Sequence, residues 1–122
     1  MSNSKIKDLD NLTKSFVFIK RLPADEATPL PDVIPIETQR ISRPVKKAVF
    51  TYVVPEPVKD PKLLAIAEKA AKEVLGLKEI SNWTEEQKTK FLEVVSGNRI
   101  VEKTFPWAHC YGGHQFGFFV GQ

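Results

Sequence analysis

The sequence has little cysteine and no long apolar run. Its 122 residues include one cysteine, Cys110, so no disulfide can form within the chain, which is typical of a reducing compartment. No segment approaches the roughly 18 consecutive apolar residues of a membrane-spanning helix. The first residues lack the apolar core of a signal peptide, and Asp8 and Asp10 are unlike an acid-poor mitochondrial presequence. No clear targeting segment is therefore predicted, and an import signal further upstream stays open.

Proline is scarce in the second half of the chain, because eight of the nine prolines lie within residues 1–61. The length suits one small domain, and 42% hydrophobic with 27% charged residues excludes wholesale disorder. We predict that residues 1–40 form a mobile or extended lead-in and that residues 41–122 form the folded part. Within the lead-in, the apolar run Ser15–Ile19 favours either a strand or a docking segment.

The first predicted helix spans residues 61–76. Asp60 can cap its first amides, and Pro61 fits the first helical position, where its missing N–H has no partner to lose. An apolar stripe at helical spacing consists of Leu63, Ala67, Ala70, Ala71, Val74 and Leu75. Gly76 suits the left-handed residue that ends a helix.

A second helix is predicted over residues 84–96. Thr84 and Gln87 match a capping box, and Ser96-Gly97-Asn98 ends the pattern. The buried side is predicted to contain Phe91, Leu92, Val94 and Val95. Residues 48–54 predict a strand and residues 99–105 a further short one, so the fold class is α+β.

A small basic cluster stands before the first strand, in a chain whose formal net charge is +3. It consists of Arg40, Arg43, Lys46 and Lys47. A solvated surface is the first interpretation, and a phosphate or nucleic-acid patch is the alternative. No aromatic residues interleave with the cluster, so no nucleic-acid partner is predicted.

The last residues combine glycines, aromatics and candidate ligands. His109, Cys110 and His114 suggest zinc, but they offer three ligands at most and adjacent side chains point in different directions, so no metal site is predicted. A Cys–His nucleophile would need an orienting third group that the sequence does not show. Gly112 and Gly117 have the spacing of a phosphate loop, yet two phenylalanines follow where Lys and Ser or Thr are required.

Phe118-Phe119-Val120 predicts the start of a buried strand. A strand needs a pairing partner, and no closing signal follows it. We therefore expect the chain to be cut off at Gln122 and to carry no complete active site.

The same segment is similar to the signature of the selenoprotein O family, Y-x-G-H-Q-F-G-x-[WF]-x-G-Q. The matching residues are Tyr111, Gly113, His114, Gln115, Phe116, Gly117, Phe119, Gly121 and Gln122. Further segments agree in order: Phe50-Thr51 with Val54–Pro57, Leu63 to Leu77, and Ser96-Gly97-Asn98. The resemblance covers roughly residues 40–122.

The resemblance implies a protein-kinase-like fold, of which this chain would be the N-terminal part. It also implies transfer of AMP from ATP to Ser, Thr or Tyr hydroxyls of proteins, with magnesium at the phosphates. The nucleotide loop L-G-D-G-R of the family would begin just after Gln122, so this chain is expected to hold no catalytic, cofactor-binding or metal-binding residue and to be inactive alone. Family members occur in bacteria and mitochondria, which leaves a mitochondrial or a cytoplasmic location open. The alternative is a short, non-catalytic binding or regulatory module.

Overall fold

The computed structural model describes residues 9–35, 41–77 and 79–121, and it confirms the α+β class. The chain forms two compact units, each built from separated parts of the sequence. The helical unit contains residues 9–14 and 56–104, and the strand unit contains residues 15–55 and 105–121, within the described ranges. Among the described residues, no helix is both long and apolar enough to cross a bilayer.

The helical unit contains helices α2 (Glu68–Glu73) and α3 (Glu85–Val95), with short 3₁₀ turns at Leu9–Asn11 and Ile80–Asn82. Its core consists of Ala71, Leu77 and Trp83, and the Trp83 and Phe91 rings lie 5.1 Å apart. Partly buried apolar side chains surround this core: Leu9, Leu12, Ile66, Ile80 and Phe91.

The prediction of a helix over residues 61–76 was wrong for its first half. Residues 61–67 are not helical, Asp60 has a positive φ of 49°, and α2 begins only at Glu68. Of the predicted apolar stripe, Leu63, Val74 and Leu75 are 39%, 80% and 45% exposed, so too little surface packs against it to stabilise a longer helix. The helix also ends earlier than predicted, at Glu73, but the predicted left-handed glycine is present: Gly76 has a φ of 67°. Leu77 is buried, and its amide donates to the Ala71 carbonyl at 3.0 Å.

Helix α3 confirms the capping box. The Gln87 amide donates to Thr84 Oγ1 at 3.2 Å, and the Thr84 amide donates to Gln87 Oε1 at 2.9 Å. The helix ends at Val95 with Ser96 as its C-cap, and Gly97 follows with a φ of 83°. The predicted buried side is only half-buried, and Val95 is 54% exposed, because α3 covers a small core on one side.

The strand unit is built around two antiparallel pairs. Strand β1 (Phe50–Tyr52) pairs with β2 (Trp107–His109), and β3 (Gly112–Gln115) pairs with β4 (Phe118–Gly121). Helix α1 (Val17–Arg21) accompanies them. The predicted strand at 48–54 is therefore real but shorter.

The structure excludes one of the two alternatives for Ser15–Ile19, and the strand predicted at residues 99–105 was wrong. Ser15–Ile19 does not form a strand: its second part enters α1, and Phe18 packs against β1 and β2, as the docking alternative requires. Residues 99–105 do not form a strand either. The chain turns there, with Lys103 at a φ of 59° and the Thr104 amide bonded to the Val101 carbonyl at 3.1 Å, so the strand begins only at Trp107.

Candidate functional site

The candidate site is the part of the strand unit that leads into and includes the glycine- and aromatic-rich segment. It contains a cluster of packed aromatic rings, the aromatic base, which consists of Phe18, Phe50, Tyr52 and Trp107. Phe18 of α1 stacks on Trp107 of β2, with ring centroids 4.4 Å apart, and tilts against Phe50 of β1 at 5.9 Å. Phe50 is completely buried and meets Tyr52 edge to face at 5.3 Å. This cluster holds β2 in place, so the residues that follow β2 start from a fixed position.

His109 belongs to this aromatic cluster. Its ring lies 4.8 Å from that of Trp107 and 5.2 Å from that of Phe18. Among the residues that the structure describes, no group of three His, Cys, Asp or Glu side chains could hold a metal ion. The three residues that suggested zinc thus have separate surroundings: His109 contacts the base, Cys110 is half-buried after β2, and His114 lies on the hairpin.

Cys110 does not have the properties of an activated nucleophile. Burial, and secondarily the Asp25 carboxylate, raise the pKa of its thiol, with Arg43 acting in the opposite direction. A raised pKa keeps the sulfur protonated and less reactive at neutral pH. The Cys110 amide donates to the Val49 carbonyl at 2.9 Å, which extends the β1–β2 pairing by one bond.

A buried polar network lies beside β1, and the sequence did not reveal it. The Asp25 carboxylate accepts from Arg43, from Thr51 Oγ1 at 3.0 Å and from the Ala27 amide at 3.0 Å. Thr28 Oγ1 lies 2.8 Å from Thr51 Oγ1 and also accepts from the Tyr52 amide at 3.2 Å. The bond from the Ala27 amide to Asp25 Oδ1 forms an Asx turn. The preference of Asp for such turns is the one local signal at this position that sequence reasoning could have used.

The ion pair between Asp25 and Arg43 dominates the electrostatics of this network. Arg43, more than any other group, lowers the pKa of the Asp25 carboxyl, and burial opposes the shift. Asp25 is only 3% exposed, so its charge depends on these donors. The predicted basic cluster is divided accordingly: Arg43 pairs with Asp25, Lys46 and Lys47 are exposed, and Arg40 lies outside the described residues.

The family motif itself forms a two-residue hairpin. Gln115 pairs with Phe118 across the turn, and His114 faces Phe119 with ring centroids 5.4 Å apart. Both turn residues, Phe116 and Gly117, have positive φ, at 51° and 86°. Positive φ at both central positions is the requirement of a type I′ turn, which matches the twist of the two strands.

Tyr111 lies against the first hairpin strand. Its hydroxyl accepts from Gln115 Nε2 at 3.2 Å, and a Cβ added at Gly113 would come within 2.7 Å of the same oxygen. Gly113 therefore leaves room for the tyrosine. Gln122, the last residue of the motif, lies outside the described residues.

The predicted strand at 118–120 is confirmed, but within this chain its side chains are not buried. Phe118 and Phe119 are 75% and 68% exposed, and Phe116 at the turn is fully exposed. Within the described chain, the hairpin packs on too little to cover these rings.

Curated relatives share the sequence over most of the chain. A protein nucleotidyltransferase YdiU of Nitrosospira multiformis is 37% identical over 86% of this chain. The human mitochondrial protein adenylyltransferase SelO is 38% identical over 85% of it, and the mitochondrial SelO protein of Schizosaccharomyces pombe is 35% identical over 95%. The chain spans only 16%, 14% and 20% of the lengths of these three relatives. No protein-family model matches the chain, and no solved structure matches it.

Proposed function

The chain belongs by sequence to the selenoprotein O family, and from this we propose that it is part of a protein adenylyltransferase that transfers AMP from ATP to hydroxyl side chains of proteins. The observation that carries the proposal is the 35–38% identity to adenylyltransferases and nucleotidyltransferases over 85–95% of the chain. Because the chain spans a fifth or less of those relatives, the proposed activity is that of the larger protein.

In the proposed reaction, the hydroxyl oxygen of a Ser, Thr or Tyr side chain bonds to the α-phosphorus of ATP. The bond from that phosphorus to the oxygen bridging the β-phosphate breaks, pyrophosphate leaves, and the hydroxyl proton passes to a base. Such a reaction depends mainly on positioning and on neutralising phosphate charge.

Magnesium would supply part of that neutralisation in the larger protein. Magnesium is held by carboxylate and other oxygen ligands. Among the described residues, no group of three His, Cys, Asp or Glu side chains lies close enough to hold a metal ion. These residues therefore do not fit a magnesium site, and no step through the ion is assigned to them. We place the magnesium, ATP and catalytic groups on residues outside this chain.

The role proposed for this chain is to position the nucleotide loop. The aromatic base fixes β2, and the hairpin from Tyr111 onward leads toward the place where the family's loop is expected. In this proposal residues 41–122 form the first part of a kinase-like domain. The human and mouse relatives are named as mitochondrial proteins, and a mitochondrial location is proposed for the larger protein on that ground.

The test uses labelled ATP and three proteins: this chain, the full S. pombe relative, and a chimera in which this chain replaces the region of that relative that it matches. With ATP labelled at the α-phosphate, the relative and the chimera should label a protein acceptor, and the chain alone should not. ATP labelled at the γ-phosphate should label nothing. Labelling by the chain alone would contradict the placement of the active site, and absence of α-label with the intact relative would contradict the reaction.

The second candidate function is a non-catalytic binding or regulatory module. The exposed aromatic rings of the hairpin favour it, because such rings occur at protein interfaces. A chimera that folds but transfers no AMP, beside an active relative, would favour this candidate.

A further inference from the structure

The β3–β4 hairpin exposes apolar side chains on both of its faces. Side chains alternate along a strand, so the neighbours Phe118 and Phe119 point to opposite faces. The two rings are 75% and 68% exposed, and Phe116 between the strands is fully exposed. An antiparallel hairpin at a protein surface normally has one polar face, so apolar residues on both faces indicate a hairpin covered on both sides.

The amount of exposed apolar surface is large for one hairpin. A phenylalanine presents about 150–250 Å² when uncovered, so the three rings together expose several hundred Å². Because Phe118 and Phe119 lie on opposite faces, this area is divided between two faces and is not one contiguous patch. Exposed aromatic rings are enriched at protein interfaces. The turn adds a second sign of constraint: Phe116 has a φ of 51°, a conformation that a bulky residue rarely adopts.

We infer that this two-faced hairpin, residues 112–121, docks into the remaining polypeptide of a selenoprotein O family protein, which covers Phe118 from one side and Phe119 from the other. The length of the relatives identifies this occupant: each is about five to seven times as long as the part matched here, so ample polypeptide of the same family is available to cover the hairpin. The inference rests on the proposed function, in which this chain is part of an adenylyltransferase, but it concerns packing and not the reaction.

The hairpin also presents hydrogen-bonding edges to such a partner. β3 and β4 pair with each other alone, so among the described residues each strand has one edge without a neighbouring strand. Strand edges of this kind accept further strands. The covering polypeptide is thus expected to add at least one strand to the pair and to contribute apolar side chains to both faces.

The experiment compares the 122-residue chain with the S. pombe chimera described above. The dye ANS, which binds exposed apolar surface, should bind the isolated chain, and the variant carrying Phe118→Ser and Phe119→Ser should bind several-fold less. In the chimera, each of these substitutions should lower the apparent Tm by more than about 2 °C. Leu30→Ser is the matched control, because Leu30 is 58% exposed in the same unit but lies outside the hairpin, and it should leave the Tm within about 1 °C.

Several results would overturn the inference. Unchanged Tm in the Phe118 and Phe119 chimeras, or an equal loss from Leu30→Ser, would show that the hairpin is not the covered surface. A chimera that fails to fold beside a folded relative would show that the remaining polypeptide does not accommodate this hairpin. Light scattering that reveals a dimer of the isolated chain, abolished by the Phe118 and Phe119 substitutions, would assign the surface to a second copy.

Transfer of AMP is measured separately on the same proteins. A chimera with the expected Tm losses but without α-label transfer would leave the docking intact and reject the proposed function. A chimera that transfers AMP and keeps its Tm after the hairpin substitutions would support the proposed function and reject the docking of the hairpin.

Discussion

Replacing Asp25 by Ala should destabilise the strand unit strongly. The change would remove the acceptor of Arg43, of the Ala27 amide and of the Thr51 hydroxyl together. Breaking a buried ion pair by removing one partner costs about 3–5 kcal/mol. The Arg43 side chain is 29% exposed, so water can solvate part of the released guanidinium, and we expect the lower end, about 3 kcal/mol. For a domain stable by about 5–15 kcal/mol this is a large fraction.

The assay is urea unfolding followed by tryptophan fluorescence. Of the two tryptophans, Trp107 lies in the strand unit against Phe18, and Trp83 lies in the helical unit. A Trp83→Phe background leaves Trp107 as the reporter of the unit that contains Asp25. Asp32→Asn is the control, because Asp32 is exposed, and its change should stay within about 0.5 kcal/mol.

Graded variants separate the charge pair from the hydrogen bonds. Thr51→Val removes one donor to Asp25 and should cost about 1 kcal/mol. Combining Asp25→Ala with Arg43→Ala should cost less than the sum of the single changes, because each single change leaves the other charge unpaired. A loss below about 1 kcal/mol for Asp25→Ala, or simple additivity with Arg43→Ala, would refute the reasoning that this network stabilises the unit.

Further predictions concern acid, a helix cap and the hairpin turn. Hydrogen bonds from Lys90 and Arg99 lower the pKa of the Asp10 carboxyl, and Arg43 lowers that of Asp25. The folded state therefore binds fewer protons than the unfolded state in acid. The stability that these carboxylates supply should be full above about pH 4 and lost as the pH falls further. Circular dichroism between pH 2 and 6, about the range of that transition, checks this, and an Asp10→Asn variant with an unaltered pH profile would contradict it. Thr84→Ala should cost about 1 kcal/mol in urea unfolding, whereas a cost near zero would show that the capping box adds nothing. Phe116→Asn should stabilise the hairpin by up to about 1 kcal/mol, because Asn tolerates the positive φ of this position. Slower amide hydrogen exchange across β3 and β4 would support this prediction, and faster exchange would count against the turn geometry.

Local signals predicted the elements that need no distant partner. The capping box at Thr84 lies within one helical turn, so its two bonds follow from the sequence alone. The left-handed conformation of Gly76 is likewise a local preference of glycine. The helix over 61–76 failed in part because an apolar stripe predicts a helix only if another surface packs against it, and Leu63, Val74 and Leu75 of that stripe stay exposed.

The candidate site was predictable as a motif and not as a geometry. The pattern of glycines and aromatics identified Tyr111 to Gln122, and the relatives support the family. The turn at Phe116 was hidden, because a bulky residue at positive φ contradicts its local preference. The pairing of Asp25 with Arg43 was hidden as well, because it joins residues far apart in the sequence and has no periodic signature.

The division of the chain into interleaved units has a consequence for synthesis on the ribosome. Tyr52 and Trp107 are opposite each other in the β1–β2 pair although about 55 positions separate them. At 5–20 residues per second the first strand would wait about 3–11 s for its partner. During that interval the apolar side chains of residues 15–55 have no β2 to pack on. Closing so long a loop is also slow, so early protection of this segment by a chaperone would favour correct folding over aggregation.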